Sequence, residues 1–187
     1  MILNNQSKSM ITTLRRITRG ASIVTPDMLA SWLRIDLADE TPDMIQLLID
    51  ASNDAVQNHI GRSVIPCEYR KTWQGKLNNI LVLPFPWIAE VMELNFINRA
   101  GISTAITNYN FNIEGDLSIP TTYNHLLTGE YIECEYITTP FTEGGINIAI
   151  LKLAAYMYER RGDCDSSEAL INSGAADMLK PFVRVLL

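Results

Sequence analysis

The sequence predicts an α+β fold: an N-terminal helix pair and a long third helix pack with a central antiparallel β region, followed by a C-terminal tail. Three observations indicate this class. Apolar residues recur at helical spacing between residues 24 and 61 and again over Ile146–Arg161. Between these segments, over roughly residues 67–138, short stretches alternate apolar and polar side chains. Because helices and strands are segregated along the chain, α+β is the expected class.

Length and composition fit one ordinary globular domain with extensions. The chain has 187 residues, of which 47% are hydrophobic and 19% are charged. This charged fraction is slightly low, which suggests that part of the surface serves a partner. We expect a basic N-terminal arm over residues 1–23, an α+β domain over residues 24–165, and a short helix with a docking tail over residues 166–187.

Two helix starts carry the same signal. Thr25-Pro26-Asp27 and Thr41-Pro42-Asp43 each offer a capping threonine, a proline suited to the first helical position, and an acid favoured by the positive helix end. The first helix is predicted to reach about Arg34. The second is predicted to run through Ile60 and to end at Gly61 in a left-handed conformation. The face opposite its apolar residues is predicted to be polar and comprises Asp43, Gln46, Asp50, Asn53, Asp54 and Gln57.

The central region contains five strand candidates. They are Glu68–Gln74, Asn79–Leu83, Glu90–Asn98, Phe111–Ile113 and Tyr131–Ile137. Along the third candidate, alternation predicts two faces. One face holds Val91, Glu93, Asn95 and Ile97, and the other holds Met92, Leu94 and Phe96. In the fifth candidate, Ile132, Cys134 and Tyr136 alternate with acidic residues.

The apolar run Leu83–Trp87 ends the second strand candidate, since its two prolines cannot continue a strand ladder. It is interpreted as a buried corner or, more specifically, as a subunit contact, because aromatic residues are enriched in the cores of interfaces. The aromatic residues Tyr69, Trp73 and Phe85 are assigned to the core or to an interface.

The last third of the chain is predicted to be helical. Phe141–Gly145 is expected to be a flexible joint before the long helix Ile146–Arg161, which Gly162–Asp165 closes. Ser166–Asn172 is a short helix candidate, and Lys180 starts the C-terminal tail.

Charge is unevenly distributed. Residues 1–20 carry Lys8, Arg15, Arg16 and Arg19 and no acid, so these four charges leave −10 on the remainder of a chain whose total is −6. An acidic body repels phosphate, which argues against a nucleic-acid-binding role for it. The basic arm is interpreted as a solubilising segment or as a segment that binds acidic surfaces or nucleic acid.

Cysteine usage and hydropathy indicate synthesis in the cytoplasm and no membrane partner. Cys67, Cys134 and Cys164 are odd in number and widely spaced, which is typical of reduced thiols. No signal-like segment begins the chain, and no apolar run approaches the ~18 residues that span a bilayer.

No residue pattern points to catalysis, a cofactor or a metal, so we expect a protein that is not an enzyme. His59 suits helix capping or packing, and His125 lies in a polar loop. Asp163-Cys164-Asp165 lacks the further ligands that a metal site needs. A helix-turn-helix DNA reader is disfavoured because residues 27–60 hold seven acids and one base. A small hydrolase is the enzyme alternative, and it requires a convergent polar pocket.

Five segments, in order, resemble the head–tail connector (adaptor, head-completion) proteins of tailed bacteriophages. The segments are VTPDMLASWLRID, LLIDASNDAVQNHIGRSVI, ILVLPFPWIAEVMELNFINRAG, ILKLAAYMYERRG and MLKPFVRV. The resemblance covers roughly Met10–Arg184. The chain departs from the family in Phe182-Val183, where Tyr-Arg is frequent, and in a longer polar loop over Tyr109–Thr128.

This resemblance implies a structural virion protein at the head–tail interface (neck). Such proteins form a homo-oligomeric ring, usually of about twelve copies, below the portal vertex of the capsid. The ring extends the DNA channel and provides a docking surface for the stopper or tail. The implied partners are the portal protein, a tail or stopper protein, and genomic DNA that passes without sequence-specific binding. The alternative is a non-catalytic interaction module of another phage assembly component.

The resemblance also suggests which residues serve assembly. A channel that passes DNA benefits from an acidic lining, and the acids predicted to face it are Asp36, Asp39, Glu40, Asp43, Asp50 and Asp54. The residues predicted to contact the portal or a neighbouring subunit are Trp87, Lys180, Pro181, Phe182, Arg184, Leu186 and Leu187. Deletion of Lys180–Leu187 is expected to abolish attachment and to leave the monomer folded. The basic arm contributes Arg15, Arg16 and Arg19.

Overall fold

The computed structural model describes residues 10–40, 42–160 and 165–184, which divide into two compact units. The β unit comprises the described residues up to Arg19 together with Cys67–Thr138. The α unit comprises the described residues of Gly20–Pro66 and those from Thr139 to Arg184. The predicted α+β class is confirmed, because helices and antiparallel sheets occupy separate parts of the sequence.

The β unit contains two antiparallel sheets. The first has five strands in the order β1 (Ile11–Arg19), β2 (Cys67–Gln74), β8 (Tyr131–Thr138), β4 (Ile88–Ile97) and β5 (Ser103–Ala105). The second has three strands in the order β3 (Ile80–Val82), β7 (Asp116–Ser118) and β6 (Asn110–Phe111). A 3-10 turn, Thr121–Tyr123, precedes β8.

One face of the five-stranded sheet forms the core of the β unit. Tyr69 on β2 lies opposite Tyr136 on β8, and Trp73 lies opposite Ile132. All four side chains are at most 2% exposed. The alternation predicted for Tyr131–Ile137 is therefore confirmed, since Ile132, Cys134 and Tyr136 are buried while the residues between them are half-buried.

The alternation predicted for β4 is wrong in its first part, where Val91 and Leu94 share a face, and holds from Leu94 to Ile97. The buried residues are Ile88, Val91, Leu94 and Ile97, so they recur every third residue. The register with β8 shifts between Ile88 and Glu90 and again between Val91 and Glu93. Each β-bulge adds one residue to the strand, so Val91 and Leu94 return to the face of Ile88. From Leu94 to Ile97 the register is regular, so Ile97 lies on the opposite face from Leu94.

Strand β1 lies within residues 1–23, the segment predicted to be a basic arm. It pairs antiparallel with β2 over eight residue pairs, from Ile11 opposite Gln74 to Arg19 opposite Cys67. Every residue from Ile11 to Thr18 is exposed, so side chains on both faces of this edge strand remain in solvent. The register shifts once, between Arg16 and Thr18. Residues 1–9 of the predicted arm, including Lys8, lie outside the described residues.

The α unit contains the helices α1 (Pro26–Leu33), α2 (Pro42–Ile60), α3 (Ile146–Glu159), α4 (Ser166–Asn172) and α5 (Ala175–Leu179). Thr25 caps α1 as predicted, since its hydroxyl oxygen accepts the N–H of Met28 at 3.3 Å. Arg34 ends the helix in the left-handed conformation, with φ 57°. Gly61 takes φ +67° at the end of α2, as predicted. The predicted end of the third helix, Arg161, lies outside the described residues.

The polar face predicted for α2 needs correction. Asn53 and Gln57 are buried, not exposed. The Asn53 amide donates to Ser22 Oγ at 2.9 Å and to the Ile49 carbonyl at 2.8 Å. Gln57 Oε1 accepts the N–H of Val64 at 3.3 Å. The Asn53 amide nitrogen and the Gln57 amide oxygen thus connect α2 to the adjoining loops through Ser22 and Val64.

Candidate assembly surfaces

The C-terminal segment folds back on the α unit. A 3-10 turn covers Lys180–Phe182, and the Phe182 ring packs edge-on against Phe141, with ring centroids 5.8 Å apart. The Arg62 guanidinium lies over the other ring of this pair, 4.9 Å from the Phe141 centroid. Phe141 is itself fixed, because its N–H donates to the Ser63 carbonyl at 2.7 Å. Phe182, a predicted portal contact, is therefore half-buried in its own chain.

Beyond this turn the backbone is tied to α2. The N–H of Arg184 donates to the carbonyl of Ile60 at 2.9 Å. Gly61 fits closely beside it, since a Cβ on this glycine would lie 3.5 Å from Arg184 Cβ. The predicted contact residues Leu186 and Leu187 lie outside the described residues.

Lys180 and Pro181, also predicted contacts, are exposed. Lys180 Nζ pairs with Asp177 Oδ1 at 2.7 Å. This hydrogen bond and the accompanying charge attraction raise the pKa of Lys180 and lower the pKa of Asp177. The surface next to the C-terminal segment thus presents a solvated ion pair, which contributes little to the stability of the fold.

Two of the acids predicted to line a channel have local structural contacts. Asp36 accepts the N–H of Ala38 at 3.0 Å and caps the 3-10 turn Leu37–Asp39. The Glu40 carboxylate accepts a hydrogen bond from the Tyr158 hydroxyl on α3. The side chain of Asp39 lies outside the described part of the structure. Charge reversal at Asp36 or Glu40 would therefore disturb the fold as well as the surface charge.

The other three acids follow one side of α2. Asp43 is exposed in the first turn, whereas Asp50 and Asp54 are half-buried. Asp50 accepts a hydrogen bond from Gln46 Nε2 at 3.0 Å. Two apolar residues on the same helix are also in solvent, Met44 and the 62% exposed Leu47. The exposed face of α2 is therefore mixed and not purely acidic.

The segment Leu83–Trp87 forms a rigid corner of the β unit. Phe85 and Trp87 both have positive φ values, 55° and 77°, which is uncommon for large side chains. The Tyr136 hydroxyl donates to the Pro84 carbonyl at 2.9 Å, and Phe85 stacks on Tyr69 with centroids 5.1 Å apart. Trp87 is half-buried. Leu83 is buried whereas Trp87 is partly accessible. The segment is therefore compatible with both interpretations, a buried corner and a subunit contact.

A row of charged side chains crosses the open face of the five-stranded sheet. This row was not predicted from the sequence. Register places Arg15, Arg70, Glu135 and Glu93 side by side on β1, β2, β8 and β4. Arg70 Nε donates to Glu135 Oε1 at 2.7 Å and lies 3.9 Å from Glu133 Oε2. The hydrogen bond to Glu135, followed by attraction to Glu133, raises the pKa of the Arg70 guanidinium. The alternating charges were visible in the sequence, but their alignment depends on strand order.

Neither a metal-binding cluster nor a helix able to span a membrane is found in the described residues. In residues 10–40, 42–160 and 165–184, no group of three or more His, Cys, Asp or Glu side chains is placed to hold a metal ion. Asp163 and Cys164 of the predicted acidic turn lie outside these ranges, and Asp165 caps α4. Within the same ranges, no helix is long and apolar enough to cross a membrane. His59 and His125 are exposed.

The chain matches known proteins in comparisons of structure but not in comparisons of sequence. No protein-family model matches the sequence, and no curated protein matches it significantly. Chains in solved gene transfer agent particles do share its fold. One, from the neck of an empty particle computed with C6 symmetry, gives a TM-score of 0.72. Another, from the virion of the native particle, gives 0.73, and a third, from the native neck computed with C12 symmetry, gives 0.68.

Each of these chains is 18% identical to the present one, and each alignment covers 94% of this chain and 97% of the other. The correspondence therefore extends over both units and both chains almost completely. At this level of identity the likeness establishes the fold and no more. The chain has the fold of a protein found in the neck of the gene transfer agent particle.

Proposed function

We propose that the protein is a structural component of a phage neck, where it forms a ring between the portal vertex and the tail. The observation that carries this proposal is the fold shared with gene transfer agent neck chains over 94% of this chain. The five sequence segments that resemble head–tail connector proteins point to the same place in a phage particle. Neck structures computed with C6 and C12 symmetry support a cyclic arrangement of copies.

The proposed role is mechanical and electrostatic, not catalytic. The ring extends the DNA channel and offers a docking surface to a stopper or tail protein. Its proposed partners are the portal protein, the stopper or tail protein, other copies of itself, and DNA that passes through without base-specific contacts. We propose that Val185–Leu187, which follow the anchored Arg184, contribute to portal docking, together with the exposed Lys180 and Pro181.

We further propose that Asp43, Asp50 and Asp54 face the channel or its entrance. Carboxylates on a lining repel phosphate, so a duplex slides past without the counterion release that accompanies tight binding. Asp43 is the suitable test position, because Asp36 and Glu40 stabilise the fold through their own contacts. We expect Asp43→Lys to slow DNA ejection from assembled particles. Asp27→Lys is the matched control, since Asp27 is also an exposed acid in a first helical turn.

An in vitro complementation assay tests the neck assignment. An infected-cell extract that lacks this protein should accumulate DNA-filled heads and free tails. Adding the purified protein should join them and restore infectious particles. Heads that acquire tails equally well without the protein would exclude a connector. If instead the extract lacks complete tails, the alternative of an interaction module in another assembly component is favoured.

A further inference from the structure

Basic and acidic side chains lie at opposite ends of the five-stranded sheet. Strands β1 and β2, on one side, carry five basic side chains and one acid, whereas β8 and β4 carry four acids and no base. The row Arg15, Arg70, Glu135, Glu93 shows this separation directly, because it crosses four strands from the basic edge to the acidic one. One end of the sheet is thus electrostatically complementary to the other end.

The basic edge is suited to contact another surface. β1 is a nine-residue edge strand whose side chains are exposed on both faces. Ile11 is 60% exposed, and Leu14 and Ile17 are also in solvent. Long, exposed and partly apolar edge strands pair readily with other chains unless they are covered. Arg15 and its neighbours add positive charge to this apolar edge.

The acidic edge offers a matching groove. β5 pairs with Asn95–Ile97, and the preceding part of β4 lies next to the loop that follows β5. A groove of about 590 Å³ lies here, lined by Met92, Glu93 and Leu94 of β4 and by residues of β5 and its loop up to Tyr109. Met92 is 46% exposed. The groove therefore combines an apolar side chain with a carboxylate, the complement of the β1 edge.

We propose that the β1 edge of one copy packs in the β4–β5 groove of the next copy, with Arg15 beside Glu93 of that neighbour. The contact is heterologous, because two different surfaces of the chain meet, and heterologous contacts generate rings or open filaments. This inference rests on the proposed ring and names the surfaces that close it. The row of charges would then continue from subunit to subunit, with each Glu93 followed by the next Arg15.

Charge exchange between the two edges tests the contact. Arg15→Glu and Glu93→Arg should each raise the concentration required for assembly about ten-fold, since each places like charges together. Neither change should unfold the monomer. The new carboxylate of Arg15→Glu would lie opposite Arg70, and the new guanidinium of Glu93→Arg would lie opposite Glu135. Both single variants thus gain a complementary neighbour on their own sheet.

The decisive experiment mixes the two single variants. An Arg15→Glu copy presents an acidic β1 edge and keeps its acidic groove, whereas a Glu93→Arg copy presents a basic edge and a basic groove. Alternating copies are complementary at every contact, so an equimolar mixture should assemble like wild type although neither variant does so alone. The Arg15→Glu/Glu93→Arg double variant should also recover. Native mass spectrometry of each sample, alone and with the portal ring, gives the number of copies bound.

The outcomes separate the two proposals. Wild-type protein that assembles with the portal ring, while both single variants assemble equally well, overturns the edge contact and leaves the neck role intact. If the single variants fail to assemble and their equimolar mixture also fails, the edge contact is overturned as well. Wild-type protein that forms no multimer with or without the portal ring overturns the neck role and the edge contact together. Recovery in the mixture supports the contact, since a folding defect cannot be rescued by mixing.

Discussion

The backbone N–H of Arg184 donates to the carbonyl of Ile60, with 2.9 Å between nitrogen and oxygen. Ile60 is the last residue of α2, and the last carbonyls of a helix lack partners within it. Arg184 thus completes the end of α2, and the anchored part of the C-terminal segment extends at least to this residue. A truncation that separates docking from folding must therefore begin after Arg184, and not at Lys180 as the sequence alone suggested.

Phe182→Ala should lower the free energy of unfolding by about 1–2 kcal/mol, because the half-buried ring loses its edge-on contact with Phe141. Val183→Ala, at the neighbouring exposed position, is the control and should change it by less than about 0.5 kcal/mol. Urea unfolding followed by circular dichroism measures both. Equal effects of the two substitutions would contradict the anchoring role of Phe182.

Tyr136→Phe should destabilise the protein by about 1–2 kcal/mol. The substitution removes the hydroxyl that donates to the Pro84 carbonyl and leaves that oxygen without its buried donor. Tyr131→Phe, on the same strand at a half-buried position, is the matched control, with an expected loss below about 0.5 kcal/mol. If the Leu83–Trp87 corner is held by this bond, limited proteolysis near residue 85 should accelerate in Tyr136→Phe alone. Unchanged cleavage would show that other contacts fix the corner.

Arg70 and Glu135 should be energetically coupled. A double-mutant cycle with Arg70→Met and Glu135→Gln should give about 0.5–1 kcal/mol at low salt, since the pair is partly exposed and lies in a row of charges. In 1 M salt, where the Debye length is about 3 Å, the coupling should fall. The cycle with Glu133→Gln is the control and should give a smaller value, because that carboxylate is 3.9 Å from Arg70 Nε. A larger coupling to Glu133 would contradict the observed geometry.

The free energy of unfolding should fall in alkaline solution, because unfolding allows the Cys134 thiol to ionise. Burial raises the pKa of this thiol from 9.0 to about 12, followed by a smaller effect of the Glu135 charge. Because the folded-state pKa is the higher one, the thiol contributes stability that is complete below pH 9 and is lost as the pH rises towards 12.

Between pH 9 and 11 the free energy of unfolding should therefore fall more steeply in wild type than in Cys134→Ala. The difference in slope should approach about 1.4 kcal/mol per pH unit. Urea unfolding at half-unit pH intervals measures it. Parallel pH profiles for the two proteins would show that ionisation of Cys134 is not linked to unfolding.

Local signals in the sequence predicted helices α1 to α4, whereas α5 was not predicted. Thr25 and Gly61 act in the first two helices as their residue types suggest, because capping and left-handed termination are decided by a few neighbouring atoms. Ser166–Asn172 is a helix with the predicted limits. The alternation in β8 was equally clear, since the extra residues of its pairing with β4 lie in β4 and β8 itself keeps a period of two residues.

Features that depend on pairing between distant segments were not predictable. The two bulges of β4 shift Val91 and Leu94 to one face, and no local residue pattern predicts these bulges. The edge strand β1 lacks alternation, because neither of its faces is buried. Asn53 and Gln57 look like surface residues until Ser22 and Val64 supply their hydrogen-bond partners.

The candidate surfaces also combine features that are local with features that depend on tertiary structure. The sequence contains each charged residue, but predicting the row from Arg15 to Glu93 requires the strand order β1, β2, β8, β4. The anchoring of Phe182 and Arg184 likewise required the position of α2 and of Phe141 in the fold. The residue types of the candidate surfaces can thus be read from the sequence, whereas the tertiary structure decides which of these residues lie together.

Electron microscopy of the portal ring mixed with this protein is the most direct test of the neck assignment. We expect an additional ring of density on the side of the portal that faces the tail. Protein ending at Arg184 should fold with unchanged unfolding free energy but give weaker or absent density. A portal ring that shows no additional density at high excess of folded, full-length protein would contradict the neck assignment.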